Sequence, residues 1–350
     1  MLRSISLGML CTALMGQAIE FSGQFTGVLS GGNDPATTTV RYLPQMDVTL
    51  NAFRLQVVPN LLFTTAKSAP EEIRPYRLWG RYVQPQFQIT AGLQKLNFGP
   101  AKLLRPLQWF DQLDPRDPTM ATRGVWGIST IYSTFQGQEF RGWVLYGNDE
   151  PKGLEILPGN SRLPEWGGRV EQSLGPVEAG VTWHSRGLES INEQRPRERR
   201  LAIDGYWEPG PALWLESSYS DYTSLPADLL STSFTTIGAD YSWSLGQGLY
   251  TCVERMYVTK QSATENTTLS LTAMILRYPL SWLDTISLLG FFSPRNEVSV
   301  QYISWQRTLD DWDILAGLFF STKPDANLIS TGETVATGVS GIQVLFTYHY

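Results

Sequence analysis

Between residues 95 and 123 the sequence sets Lys95, Lys102, Arg105, Arg116 and Arg123 beside Asp111, Asp114 and Asp117. Charges of both signs facing each other across a confined aqueous space set up a transverse field. Such a field orders water and sorts small solutes by charge and dipole. Trp109 lies in the same run and offers a flat apolar surface. Two other chemistries are open at the three aspartates. Carboxylates spaced three apart supply hard oxygen ligands for calcium, although the spacing is not that of an EF-hand loop. Asp beside Pro also caps backbone amides, and each aspartate can tie the segment to Arg105, Arg116 or Arg123.

The flanks say what must hold this segment. Phe87, Ile89, Ala91 and Leu93 alternate with Gln86, Gln88, Thr90, Gly92 and Gln94. That is a strand with one apolar and one polar face. Alternation resumes after the insert with Trp126, Ile128 and Tyr132. The same two-residue period recurs along the chain. Val177, Ala179, Val181 and Trp183 oppose Glu178, Gly180, Thr182 and His184. Ile237, Ala239, Tyr241 and Trp243 oppose Gly238, Asp240 and Ser242. About eighteen strands of roughly 9–12 residues result, the length a tilted membrane strand needs. The count falls to sixteen if 138–147 and 283–292 are not strands.

Connections alternate short and long. Short turns fall at Asn51-Ala52, Pro85, Gln136-Gly137 and onward to Thr308–Asp310. Longer loops fall at 31–41, 67–74, 97–123, 148–163, 186–197, 223–231, 260–266, the shorter 293–296, and 322–337. A soluble sandwich has no reason to keep that alternation, whereas a membrane barrel does. Charged residues are 17% and aromatics 12% of the 350 residues, against roughly 25% charge in soluble domains. After the N-terminus no stretch holds about 18 consecutive apolar residues, so helices cannot span a bilayer here. A closed barrel remains, because every backbone polar group must be paired in lipid. The expectation is an all-β, transmembrane, antiparallel up-and-down β-barrel over 19–350. Segment 97–123 is its third long loop, folded inward.

On that barrel the inward strand positions carry Asp47, Arg54, Arg77, Trp79, Arg81, Glu165, Arg169, Glu171, Glu178 and Asp204. Placing Arg or Lys on the lipid face near the midplane costs about 2–4 kcal/mol each. Most other Trp and Tyr, Trp126 included, suit aromatic girdles at the membrane interfaces.

Residues 1–18 have a secretory leader's layout: Arg3, the apolar run Ile5–Met15, then Gly16-Gln17-Ala18. Cleavage would remove Arg3, leaving 26 Lys+Arg against 33 Asp+Glu and a single cysteine, Cys252. One cysteine makes no internal disulfide, and the acidic balance argues against nucleic acid. No phosphate loop, paired histidine ligand or Cys-x-x-Cys is present, so no cofactor is expected. The only histidines are His184 and His349. His184 and Ser185 are neighbours on a strand and point to opposite faces, so they do not converge as a nucleophile and base. No enzyme is expected.

One run is more specific. Gly92-Leu93-Gln94-Lys95, Phe98-Gly99-Pro100, Leu103-Leu104-Arg105-Pro106-Leu107, Trp109-Phe110-Asp111, Asp114-Pro115 and Asp117-Pro118 follow in order. This resembles the strand-plus-inner-loop signature of porin-like outer-membrane proteins, including alginate-export-type barrels. The signature covers about forty residues. Phe98-Gly99 stands where related barrels often have Trp-Gly, and Asp114-Pro115 where Asn-Pro is common. The resemblance implies an outer-membrane channel passing small polar solutes, or a saccharide pore. Its surroundings would be outer-membrane lipid and lipopolysaccharide, as a monomer or a homotrimer. The final strand alternates Ile342, Val344, Phe346, Tyr348 and Tyr350 against Gln343, Thr347 and His349. An aromatic terminus of this kind resembles the signal read by the outer-membrane assembly machinery.

Overall fold

The computed structural model describes residues 17–350 except 33–34, 66–71, 112–121, 123, 156, 190–193, 224–228, 294–297 and 323–339. Eighteen strands follow one another: β1 Gln17–Gly32, β2 Thr37–Leu50, β3 Phe53–Thr64, β4 Glu72–Val83, β5 Phe87–Gln94, β6 Val125–Ser133, β7 Gln138–Leu145, β8 Glu165–Leu174, β9 Val177–Gly187. The rest are β10 Arg197–Trp207, β11 Ala212–Thr223, β12 Ser231–Trp243, β13 Leu249–Gln261, β14 Asn266–Pro279, β15 Asp284–Ser293, β16 Val298–Thr308, β17 Trp312–Ser321 and β18 Ser340–His349. Each pairs antiparallel with its sequence neighbour. β1 pairs with both β2 and β18, which closes the sheet into a barrel. Closure removes the edges, and with them the unpaired backbone groups that hydrocarbon does not tolerate.

Both weak segments are strands, β7 and β15, so the count is eighteen and not sixteen. Several loops are shorter than the polar composition suggests. Residues 37–41 and 31–32 extend β2 and β1, leaving four residues between them. Thr37, Thr38, Thr39 and Val40 are β-branched and favour the pleated backbone over a loop. β1 begins at Gln17, two residues inside the stretch assigned to a leader, and residues 1–16 lie outside those described.

The faces separate as the alternation dictates. On β10, Glu198, Arg200 and Ala202 are buried while Arg199, Leu201 and Ile203 are exposed. Leu55, Ile128, Val144, Ile237, Val253, Ile303 and Phe346 are exposed on the outer surface. Short connections gather at one end and long ones at the other.

The interior departs from the sequence reading in one respect. Inward positions were expected to be polar throughout. Instead β11 to β18 and β1 present an apolar wall: Trp214, Met256, Leu271, Phe291, Tyr302, Phe319 and Leu345 among them, packed with Ala101, Leu103 and Leu104 of the inner segment. The sequence carries the reason in plain sight. Ile286–Phe292 and Ile314–Phe320 are almost continuously apolar, the mark of strands covered on both faces.

Candidate functional site

After Gln94 the chain leaves the wall and enters the bore. Gly92 has φ +116°, and a Cβ there would strike the Leu78 carbonyl oxygen. Only glycine bends the strand end this way. Residues 101–111 are then buried at every position save Lys102.

Two carboxylates on the far wall receive the segment. Glu254 on β13 is wholly buried and accepts the amides of Lys102 at 2.6 Å, Leu103 at 2.9 Å and Leu104 at 2.5 Å. It also accepts the Trp214 indole N–H at 3.0 Å. Glu216 on β11, equally buried, accepts the amides of Ala101 at 3.0 Å and Leu107 at 2.5 Å. The Ser218 hydroxyl donates to the Pro106 carbonyl at 3.1 Å. Gly99, at φ +81°, lies so close that a Cβ would collide with the Glu216 carboxylate. Five amides of the segment are thus met by carboxyl oxygens, while those of Gln108 and Trp109 donate to the Arg105 and Leu107 carbonyls. Leu104 and Leu107 are 1% exposed, and full burial of a leucine contributes about 1.5–3 kcal/mol.

The residues singled out in this segment divide. Arg105 and Asp111 are buried and paired at 3.2 Å, and Arg105 also reaches Asn97. Trp109 is buried against Phe110 and His184. These three brace the segment and have almost no surface left for a solute. Lys102 is exposed, pairs with Asp240, and lies over Trp214 and Tyr250. Lys95 is exposed. Asp114, Arg116, Asp117 and Arg123 lie outside the described residues, and with them the calcium reading. Among the described residues no cluster of His, Cys, Asp and Glu could hold a metal.

A second segment also enters the bore, which the sequence did not signal as special. Glu155, between β7 and β8, bonds Arg186 at 2.8 Å and Arg200 at 2.8 Å. Glu198 bonds the same two arginines at 2.6 and 2.8 Å. All four are nearly sealed from solvent. Gly153, at φ +51°, approaches the Gln108 carbonyl too closely for any Cβ. Leu154 packs on the apolar wall. Lys152 in this segment is 8% exposed; burial pulls its pKa below the ordinary lysine value, against Glu155, Glu165 and Glu150, which raise it. So the second segment clamps the first. His184 completes this corner: its Nδ1 accepts the Trp143 indole N–H at 3.1 Å and its Nε2 lies 3.2 Å from Glu165.

The opposite wall, β2 to β5, is basic. Arg54 and Arg81 are register partners facing inward near the short-turn end. Arg81 donates to Thr90 at 3.1 Å and stacks over Trp79. Arg77 donates to Thr122, and with Arg41 flanks the Tyr76 ring. Arg41 donates to Asn60 at 3.0 Å. None of Arg41, Arg54, Arg77 and Arg81 forms an ion pair within 4 Å of a carboxylate among the described residues, although Asp111 acts on Arg77 at longer range. The one acid of this wall that the sequence picked out, Asp47, is taken by Gln45 at 2.5 Å and Gln56 at 2.9 Å. Further round, Arg169 is neutralised by Asp204 at 2.6 Å and Glu171 at 3.0 Å. Glu178 faces inward and exposed. Trp126 is 38% exposed on the outer face.

This architecture has solved counterparts. OccK3 of Pseudomonas aeruginosa superposes with TM-score 0.60 at 9% identity, covering 97% of this chain and 98% of that one. The fold is that of outer-membrane barrels. An anion-selective porin from Comamonas acidovorans gives 0.53 at 11% identity, covering 95% and 100%. Wzi of Escherichia coli, a carbohydrate-binding barrel involved in capsule assembly, gives 0.56 at 9%, covering 98% and 86%. At these identities the likeness is one of fold. No protein-family model and no curated protein matches the sequence.

Sequence reasoning missed Glu216, Glu254, Glu155, Glu198 and Arg200. A signal existed for the first two. Each is the lone acid on the inward face of its strand, flanked two residues away by uncharged side chains, Trp214 and Ser218 or Cys252 and Met256, and such an acid needs a partner.

Proposed function

We propose that this chain is an outer-membrane channel through which small polar or charged solutes diffuse, narrowed by the segment 97–123. The observation that carries the reading is the inner segment docked by Glu216 and Glu254 against one wall, facing a wall where Arg41, Arg54, Arg77 and Arg81 outnumber Asp47 and none of them is ion-paired to it. A solute passing between them meets a net positive field, which draws anions and repels cations. In this reading Lys95 and Lys102 are the exposed constriction charges. The chain resides in a bacterial outer membrane amid lipid and lipopolysaccharide. It is exported by its leader, 1–18, and inserted by the assembly machinery reading Tyr350. Asp114, Arg116, Asp117 and Arg123 are the remaining charges in the sequence of that segment.

The test is a planar bilayer with a salt gradient. Discrete conductance steps are expected, with a reversal potential of the sign given by anion preference. Arg54→Glu with Arg81→Glu is expected to move that potential toward cations. Deleting 100–120 is expected to raise the conductance; an unchanged value would remove the segment from the pathway. A barrel that never conducts would instead be an adhesion or structural barrel with a plugged bore. A saccharide pore is the second reading, favoured by Trp79 beside Gln56, whose side chain it reaches at 3.1 Å. It predicts saturable current block by oligosaccharide.

A further inference from the structure

Two arginines of the basic wall are buried side by side. Arg41 on β2 is 3% exposed and Arg77 on β4 is 8% exposed. Both guanidiniums lie over one ring, that of Tyr76, at 5.0 and 4.0 Å from its centre. The ring is there because of a bulge. Val58 pairs with Arg77 and Pro59 with Pro75, so Tyr76 is an extra residue with no partner on β3. A bulge re-aims a side chain, and this one brings Tyr76 to the face that carries the two cations. A cavity of about 280 Å³ at the long-loop end runs down to the same ring, with Arg74 and Lys152 balanced by Asp149 and Glu150 on its rim.

Donors outnumber acceptors around the pair. A guanidinium has five N–H donors, and Arg41 uses one of them, from Nε, on the Asn60 Oδ1 at 3.0 Å. Arg77 donates to the Tyr76 carbonyl and to Thr122, whose own amide donates to the Tyr76 hydroxyl at 3.3 Å. Asn60 on β3 is wholly buried, and its Nδ2 has no hydrogen-bond partner among the described residues. That NH2 belongs to the amide whose oxygen meets Arg41, so it opens beside the same guanidinium. Asp111 acts on Arg77 only at longer range and is paired with Arg105 at 3.2 Å. A buried charge without a partner is costly, and here two like charges share one ring.

We propose that Arg41, Arg77 and Asn60 hold a small dianionic oxyanion of the phosphate or sulfate kind, bound in place rather than passing through. Two unit positive charges call for two negative ones, and a single carboxylate leaves one cation unmatched. Guanidinium forks and an amide NH2 present donors alone, which suits an ion whose every edge accepts. Arg77 also carries Thr122. The bound ion therefore ties the return end of the inner segment to β2–β4, across the bore from the end docked by Glu216 and Glu254. This site goes beyond the proposed channel and stands whether or not the bore conducts, because its occupant is read on the folded barrel and not in a current.

The experiment is thermal unfolding of the full chain in lipid nanodiscs, titrated with inorganic phosphate or sulfate at constant ionic strength. The native barrel is expected to gain melting temperature saturably with either ion, and far less with acetate or chloride. Arg41→Gln is expected to weaken the apparent affinity by about tenfold or more. Arg255→Gln, outward on β13 between the buried Glu254 and Met256, should leave it unchanged. Asn60→Asp keeps the size of the side chain and supplies a negative charge covalently. That barrel should melt higher than the native one in the absence of both ions and lose most of the response to them. A native chain with no saturable response overturns the proposal, as does a response that survives both Arg41→Gln and Asn60→Asp. Acetate acting as strongly as phosphate overturns the choice of a dianion.

Discussion

A chain carrying Glu216→Gln and Glu254→Gln is expected to pass several times the current of the native protein and to become cleavable within 100–110. The two carboxylates accept five loop amides between them. A hydrogen bond of this kind contributes about 0.5–1.5 kcal/mol net, and such neighbours do not add independently. Glutamine keeps the shape but turns one acceptor oxygen into a donor. At residue 254 that donor faces either Leu103 and Leu104 or Lys102 and Trp214, so at least two bonds become donor–donor contacts. The apolar packing of Leu104 and Leu107 then stands alone against the entropy of a freed segment. The barrel itself, closed by its backbone ladder, should keep its strand signal. Single-channel recording and limited proteolysis read the two effects, and native values for both would show that the docking does not depend on these acids. The single variants separate a released segment from a failure to insert.

Breaking the buried charge box gives the second large effect. Arg186 and Arg200 alternate with Glu155 and Glu198, all with side chains at most 6% exposed. Glu198→Ala leaves two guanidiniums facing one carboxylate out of reach of water. Removing one partner from a buried pair costs about 3–5 kcal/mol. The melting temperature of the folded barrel should fall accordingly, and added salt should not restore it, because screening acts on exposed charges. Glu155→Ala breaks the same box from the other side. Its extra consequence should be local: the 146–164 segment loses its anchor and becomes accessible to protease. A melting temperature unmoved by Glu198→Ala would mean that water reaches the box.

How far the alternation carries is clear from particular elements. The face of β9 follows its sequence residue by residue, and β12 and β18 do so save for Phe234 and Leu345, which turn inward, because a period of two has only two registers and one face must meet lipid. The exit of the chain after Gln94 was legible too, from Gly92, the break in alternation and the length of the insert. The short turns were legible because Gly137, Gly175 and Gly246 adopt positive φ that other residues resist.

The bore was not legible in the same way. Arg105, Trp109 and Asp111 have the chemistry of a pore lining, yet they are spent on holding their own segment. Composition cannot tell a charge that meets a solute from one that meets a neighbour. Glu216 and Glu254 lie more than a hundred residues from the amides they accept; only closure of the sheet brings them together. The second inward segment owes its place to Glu155 meeting two arginines on β9 and β10, a contact with no local signature. Thus local physics, an oil-and-water rhythm against a bilayer, determined the wall of this protein from the sequence alone. What fills the wall was decided by the tertiary structure, because burying charge requires a partner and the partner's distance along the chain is set by the barrel.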